Sequence, residues 1–406
     1  MQRVLLIKLP EPAAETQKRC VMPPLGLWSM RTNIVENTDN WVHVCDMHAG
    51  DDLTETLRMN KWDVIGISVQ FSIQHDDYMK VAKKARAVCG TVIAGGFHAQ
   101  VVQPPKGVTF VAKGWGEHAI AEHLKFQIKG EIHHPIFALT ELNRYWEEDK
   151  PHDLRSMTKR WIPFETSRGC VRQCAFCGVQ NVWEKYVSFS VSWIDRYLKY
   201  LEGKGIHELF IEDDNIALQP ERLKQIISLF NRYNVHWSTP NGIEIRGLSK
   251  CLAEIADSGC WRVSLAFETG VEETAKRMNI LDKWIKPKEA RVIADWLMKN
   301  GIEVCGFFII GWPGESLKQM QETVDYANSL PLTDRHIYIA TPYPGTELYN
   351  YCKSKRYLTE DGAKLYRDLR YTTGLIKTKQ WGPEQVEELR RKDRELALRR
   401  RAGENV

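Results

Sequence analysis

The sequence lacks any apolar run approaching the roughly 20 residues that span a bilayer as a helix, which argues against a transmembrane segment. The N-terminal stretch MQRVLLIKLPEPAAE reaches proline and glutamate too early for a secretion signal, so a cytoplasmic location without a membrane partner is expected. No fixed-period repeat or low-complexity block stands out, which sets aside repeat architectures. A strong excess of one charge is also missing. The 56 Lys and Arg against 52 Asp and Glu leave +4 over 406 residues, too mild to indicate nucleic-acid binding. The Arg-rich tail RRKDRELALRRRAGENV is a local exception, and at helical spacing it forms a solvated basic face or a contact for RNA, a membrane or an acidic partner. What is present, 43% hydrophobic and 27% charged residues, is the composition of a globular protein. The length exceeds one ordinary core and implies two domains plus an appendage.

Ten cysteines in a chain expected in the cytoplasm are core residues, metal ligands or catalysts rather than disulfides. Cys20, Cys45, Cys89, Cys251, Cys260, Cys305 and Cys352 are scattered, and Cys45 and Cys305 lie in apolar strand-like runs where a thiol behaves as a small hydrophobe. The other three crowd into GCVRQCAFCG as Cys170, Cys174 and Cys177.

The fold class is α/β. The runs RVLLIKL, WVHVCD, DVIGISV, TVIAGG and TFVAKG are short and β-branched, separated by helical stretches such as YMKVAKKARAV. That alternation predicts βαβ units and a parallel, Rossmann-like sheet over residues 1–130, with ligands expected at the strand ends. A polar stretch, 131–159, reads as a linker. A second alternation runs through PFETSRG, ELFIEDDN, HWSTPNG, RVSLAFETG, EVCGFFIIG and RHIYIATPYPG, with crossover helices such as SWIDRYLKYLEGKG and PERLKQIISLFNRYN. Six strand–helix repeats predict a partial, open-sided (β/α)6 TIM-type barrel over 160–352, and 353–406 is expected to be a helical extension.

Three thiolates at C-x3-C-x2-C on one loop after a strand can hold three irons of a cubane and leave the fourth iron open. A structural zinc site would need a fourth ligand, and no matching pair lies downstream. The segment SRGCVRQCAFCG resembles the radical-SAM enzymes, whose signature is this spacing with an aromatic residue, here Phe176, just before the last cysteine. The resemblance implies a [4Fe-4S] cluster whose open iron chelates S-adenosylmethionine, one-electron cleavage to a 5′-deoxyadenosyl radical, and Phe176 near the adenine, with core packing as the alternative for that ring. It also implies cofactor or substrate contacts from Glu212, Asp213 and Asp214 in FIEDDN, from Glu268 in LAFETG, and from the turn around Gly311 and Gly314 in GFFIIGWPGES. Carboxylates suit a bound ammonium, which needs acceptors and a counter-charge. Trp312 and Tyr343 are candidates for the substrate side, or for aromatic packing.

The first alternation is similar to the cobalamin-binding domain that often precedes this barrel, on the stretches MPPLGLWSM, VHVCD, DVIGISV, IAGGFHA and FVAKGWGEHA. The similarity implies cobalamin contacts from Ser68, Gln70, Gly95, Gly96 and His98, and a groove for the nucleotide tail lined by Gly114, Gly116 and Glu117. For His98 a purely structural hydrogen bond is the equal alternative. The D-x-H-x-x-G of the methionine-synthase type is absent: the first loop has no His, and Asp46-Met47-His48 follows the second strand with Asp51 in place of the Gly. Cobalt is then not His-ligated from below, and Gln70 or Phe71 is expected to face it.

Together these resemblances imply a cobalamin-dependent C-methyltransferase acting on an unactivated carbon, supplied with electrons by a ferredoxin or flavodoxin. The short C-terminal remainder favours a peptide or protein substrate, as in family members that methylate glutamine in methyl-coenzyme M reductase. Two alternatives stay open. One is a radical cyclisation, rearrangement or sulfur insertion on a small molecule such as a tetrapyrrole or antibiotic precursor; the other is a cofactor-binding module without turnover.

Overall fold

The computed structural model describes residues 1–11, 22–146, 156–158, 160–360 and 362–401; Cys20 lies outside them. The chain forms two compact units, one of residues 1–169, 178–212 and 233–235, the other of 170–177, 213–232 and 236–406. Among the described residues no helix is long and apolar enough to cross a membrane.

The first unit is built on β1 (Arg3–Lys8), β2 (Trp41–Asp46), β3 (Val64–Ser68), β4 (Val92–Gly95) and β5 (Phe110–Val111), in the order β2-β1-β3-β4-β5. Every pairing is parallel and in continuous register, from Arg3 against Trp41 to Ala94 against Val111. A parallel sheet must be apolar on both faces, and β1 shows how one strand serves two cores. Leu5 and Ile7 point into a cluster with Tyr78, Val81, Ala82 and Ala85 of the helix His75–Val88. Val4 and Leu6 point the other way, against Leu27, Ile34, Ala119 and Ile120. Each such side chain, fully buried, stabilises the fold by about 1.5–3 kcal/mol.

The stretch expected to be a linker contains the helix Leu139–Trp146, fastened to this unit. Arg144 makes a bidentate bond to Asp51 (2.9 and 3.1 Å), and the Tyr145 hydroxyl donates to Asp46 Oδ2 at 2.8 Å. Asp46 Oδ1 accepts from the amides of His48 and Ala49, so the Asp46-Met47-His48 segment is a carboxylate-capped turn. Also in this unit, β6 (Trp161–Phe164) is followed by an unforeseen antiparallel pair, β7 (Ser167–Arg168) with β8 (Val187–Ser188). After the helix Val191–Glu202, β9 (Glu208–Ile211) pairs in parallel with β6.

The second unit contains the parallel strands β10 (His236–Ile243), β11 (Cys260–Glu268), β12 (Glu303–Ile310) and β13 (Asp334–Ile339). The intervening helices begin where the sequence supplies caps. Pro287 opens Pro287–Lys299, and Ser316 with Gln319 forms a capping box at the head of Leu317–Ser329. Phe308 turns outward to stack on Phe267 and meet Tyr326 from the second of these helices, while its neighbour Phe307 lies on the opposite face beside Tyr338. The tail forms the helix Pro383–Arg401, and Asp393 anchors it by accepting from Asn328 and Arg335, each at 2.9 Å.

Candidate active site

Of the nine described cysteines, all free, six are buried; Cys170, Cys174 and Cys177 alone among them are partly exposed. They sit on a loop in the second unit that is pinned from several sides. The Cys177 amide donates to the Cys174 carbonyl (3.0 Å), the Ala175 amide to the Met278 carbonyl (2.9 Å), and the Leu348 amide to the Ala175 carbonyl (2.8 Å). Arg172, between the first two cysteines, grips Glu244 through Nε and Nη2 (2.9 and 3.0 Å) and Asp282 through Nη1. Glu244 is 5% exposed and also accepts from Asn215 Nδ2 at 3.0 Å. Breaking this brace leaves a buried carboxylate short of its main counter-charge. Arg172→Met is therefore expected to reduce iron and sulfide retention about 10–100-fold in a chelator challenge, as for other groups that orient ligands from behind. Unchanged retention would show that the loop needs no such brace.

The acidic strand ends divide. Glu212 belongs to the first unit, where its amide donates to Phe164. Asp213, 2% exposed, and the partly exposed Asp214 begin the second unit, and Asp214 and Glu244 both act electrostatically on the Cys170 thiol. Asn215 follows, with its Oδ1 buried and accepting no hydrogen bond among the described residues. Glu268 ends β11 after a register shift and is held at φ +60°, a conformation rare outside glycine. Its Oε1 receives Lys283 Nζ at 2.8 Å, with the side chains 8% and 11% exposed. Burial pushes the Cys174 thiol up to about 11, against the pull of this ammonium. Burial also opposes the charge of Lys283, but Glu268 and Cys174 outweigh it and hold the lysine above its ordinary range. Lys283 Nζ lies 5.8 Å from the centre of the Phe176 ring.

Phe176 meets Trp312 edge to face at 6.2 Å. Trp312 belongs to the turn around Gly311 (φ +82°) and Gly314, which a fully buried Glu315 ties together by accepting from the Gly311 and Trp312 amides at 3.1 and 3.0 Å. Burial raises that carboxyl to about 7, the amides drawing it back. From the C-terminal extension, the Trp381 indole donates to the Glu315 carbonyl at 2.7 Å. An aromatic wall continues through Tyr343, Tyr371, Tyr338, His336 and Phe307, with successive ring centres 4.9–5.8 Å apart along it. Tyr371, also from the extension, is 51% exposed.

In the first unit the order β2-β1-β3-β4-β5 puts the reversal of winding between β1 and β3, where open α/β sheets receive ligands at their C-terminal ends. Ser68 and Gly95 end their strands side by side in register. Gln70 and Phe71 are exposed on a loop whose two amides are collected by Gln74 Oε1, each at 3.0 Å. Gly96 has φ +94°, and a Cβ there would stand 2.6 Å from the Val69 carbonyl oxygen, so only glycine lets these loops pack. Gly114 and Gly116 are partly exposed on either side of Trp115. Two candidates are withdrawn from the surface. His98 is fully buried, bonded to His75 Nδ1 (2.9 Å) and Ser72 Oγ (3.0 Å), and burial beside His75 lowers its pKa to about 3, which keeps the ring neutral. Glu117, 2% exposed, accepts from Arg168 at 2.9 and 3.0 Å and from Ser29 Oγ. Their polar atoms are spent on neighbouring side chains, whereas Ser68, Gln70, Gly95, Gly96, Gly114 and Gly116 are all at least partly exposed.

Glu244, Lys283, Tyr371 and Trp381 lie outside the motifs, and Arg172, Asn215 and Glu315 lie inside motif segments without being singled out there. Their roles come from partners distant in sequence, as with Lys283 and Glu268.

Comparison with known proteins adds four findings. Residues 164–327 match the model of the Radical SAM superfamily. The chain is 27% identical to the cytidylyl-2-hydroxyethylphosphonate methyltransferase of Streptomyces wedmorensis, over 86% of this chain and 78% of that one. It is 25% identical to the bacteriochlorophyllide d C-12(1)-methyltransferase of Chlorobaculum tepidum, over 82% and 75%. In fold it is similar to the radical S-adenosylmethionine methyltransferase TsrM of Kitasatospora setae, solved with cobalamin and a [4Fe-4S] cluster bound, at a TM-score of 0.67 and 15% identity over 96% of this chain and 84% of that one.

Proposed function

We propose, on the match of residues 164–327 to the Radical SAM superfamily model, that the chain is a cobalamin-dependent radical-SAM C-methyltransferase that alkylates an unactivated carbon. The observation that carries this reading is the contrast, among the described residues, between three partly exposed thiols on one braced loop and six buried ones elsewhere, with the Lys283 ammonium, paired to Glu268, acting on the Cys174 thiol. Three thiolates and a nearby cation fit a cubane with one open corner. When bound, such a cluster supplies the electron that splits S-adenosylmethionine, and methylcobalamin supplies the methyl group.

The chain's own residues then have defined tasks. Cys170, Cys174 and Cys177 ligate iron. Asp213, Asp214 and the unpartnered Asn215 oxygen offer acceptors to an ammonium, Phe176 and the Gly311 turn flank an adenosine, and Glu268 with Lys283 fixes the charge beside them. In the first unit the open sheet end at Ser68, Gln70, Gly95 and Gly96 fits a corrin plate, Gly114 and Gly116 its tail, and Gln70 or Phe71 the cobalt face. Residues 1–130 act as the cobalamin domain, 160–352 as the partial barrel, joined through 131–159, with 353–406 as the extension. A low-oxygen cytoplasm and a ferredoxin or flavodoxin donor suit this chemistry.

For the substrate, the aromatic wall from Phe307 to Tyr343 supports a flat ring more than a peptide. The named relatives support a small-molecule acceptor, one being a methyltransferase of bacteriochlorophyllide d and another of cytidylyl-2-hydroxyethylphosphonate.

Anaerobic incubation with S-adenosylmethionine, a low-potential reductant and methylcobalamin tests the class. Methyl transfer yields both 5′-deoxyadenosine and S-adenosylhomocysteine. Deoxyadenosine alone would instead favour cyclisation or rearrangement, and neither product would leave a passive module.

A further inference from the structure

Lys283 is a buried cation with no assigned part in either bond-making step. It follows the helix Glu272–Arg277 and is flanked by exposed Leu281 and Asp282, yet its own side chain turns inward to Glu268. The next residue fixes it there: the Trp284 indole donates to the Thr269 carbonyl, and Arg246 donates to the Trp284 carbonyl, both at 2.8 Å. The ammonium's charge acts on Cys170 and Cys174, and Cys177 acts on it in return. A buried ion pair is a poor way to add stability, since a well-packed apolar pair of similar volume does as well or better. Its value lies in a fixed charge pair: the ammonium is held 5.8 Å from the ring centre of Phe176, the residue before Cys177, by Glu268, whose backbone is strained at φ +60° to present its carboxylate.

We propose that Lys283 is a charge-positioning residue that raises the reduction potential of the cluster held by Cys170, Cys174 and Cys177. This rests on the cluster reading above. One electron from an external iron–sulfur or flavin donor makes no bond, and takes a three-thiolate cubane from a single to a double negative charge. A fixed cation in a water-poor site stabilises the doubly charged form more, so the electron enters at a less extreme potential.

The test uses the full chain, reconstituted anaerobically with iron and sulfide, and follows the reduced cluster by electron paramagnetic resonance in a mediated redox titration. At the ambient potential that half-reduces the parent, Lys283→Met is expected to show a reduced-to-oxidised ratio about tenfold lower, equivalent to 59 mV for one electron, at parental iron content. Lys283→Arg should restore the parental ratio. Because Lys283→Met strands a buried carboxylate, the double variant Glu268→Gln/Lys283→Met is measured alongside it and should also sit below the parent. A parental ratio in both variants overturns the proposal. So does loss of iron from both, which makes the pair structural. A parent chain that takes up no iron and sulfide overturns the cluster reading itself.

Discussion

Glu117→Ala is expected to destabilise the first unit by about 3–5 kcal/mol, read from the midpoint of its denaturant-induced unfolding. Arg168 is 4% exposed and faces Glu117 through two hydrogen bonds. It is also bonded to Glu165 and stacked over Trp115 with its guanidinium carbon 4.6 Å from the ring centre. Burial works against the charge of Glu117, yet Arg168 and Ser29 hold its carboxyl below the ordinary value, so the pair is ionised. Removing the carboxylate leaves a guanidinium in a dry site with half of its counter-charge. Glu165 remains, which sets the expected loss toward the lower end of the range. The triple variant Glu117→Leu/Glu165→Gln/Arg168→Met removes all three charges and should recover most of the stability, because the penalty comes from the unpaired ion. A single variant within about 0.5 kcal/mol of the parent would mean that water reaches the pair.

The second large effect is at the cluster loop. Cys170→Ala, Cys174→Ala or Cys177→Ala leaves two thiolates, too few to hold a cubane. Each should abolish the charge-transfer absorbance of reconstituted protein and reduce deoxyadenosine formation by more than the roughly 10–100-fold expected for a supporting residue such as Arg172. Cys305→Ala provides the contrast. Cys305 is 1% exposed in β12, where burial pushes its thiol up to about 11, so its loss should leave the iron content unchanged. Equal iron loss from Cys305→Ala and Cys174→Ala would remove the basis for singling out the loop.

The strands were legible because a parallel sheet covered on both faces writes its elements as short apolar runs. WVHVCD is β2 from end to end, and EVCGFFII is β12. The cysteine triplet was legible because all three thiols lie on one loop, and the structure leaves them partly exposed. What escaped was decided by tertiary contact. The two-residue strands β7 and β8 are too short to carry a period. The helix Leu139–Trp146 buries only Leu142 and Tyr145, a signal lost among polar neighbours. Lys283 is one lysine among many until the fold brings Glu268 to it from 15 residues away. His98 and Glu117 looked like ligand contacts because their loops do reach the sheet end; only the packing reveals that their side chains turn back into the protein.

Tyr371 and Trp381 come from beyond β13, yet one closes the aromatic wall and the other clasps the turn at Glu315. The stretch after residue 352 thus completes two features at once, and it cannot be exchanged for another sequence without touching both: loss of the Trp381 indole frees the Glu315 carbonyl, and loss of Tyr371 separates Tyr343 from Tyr338.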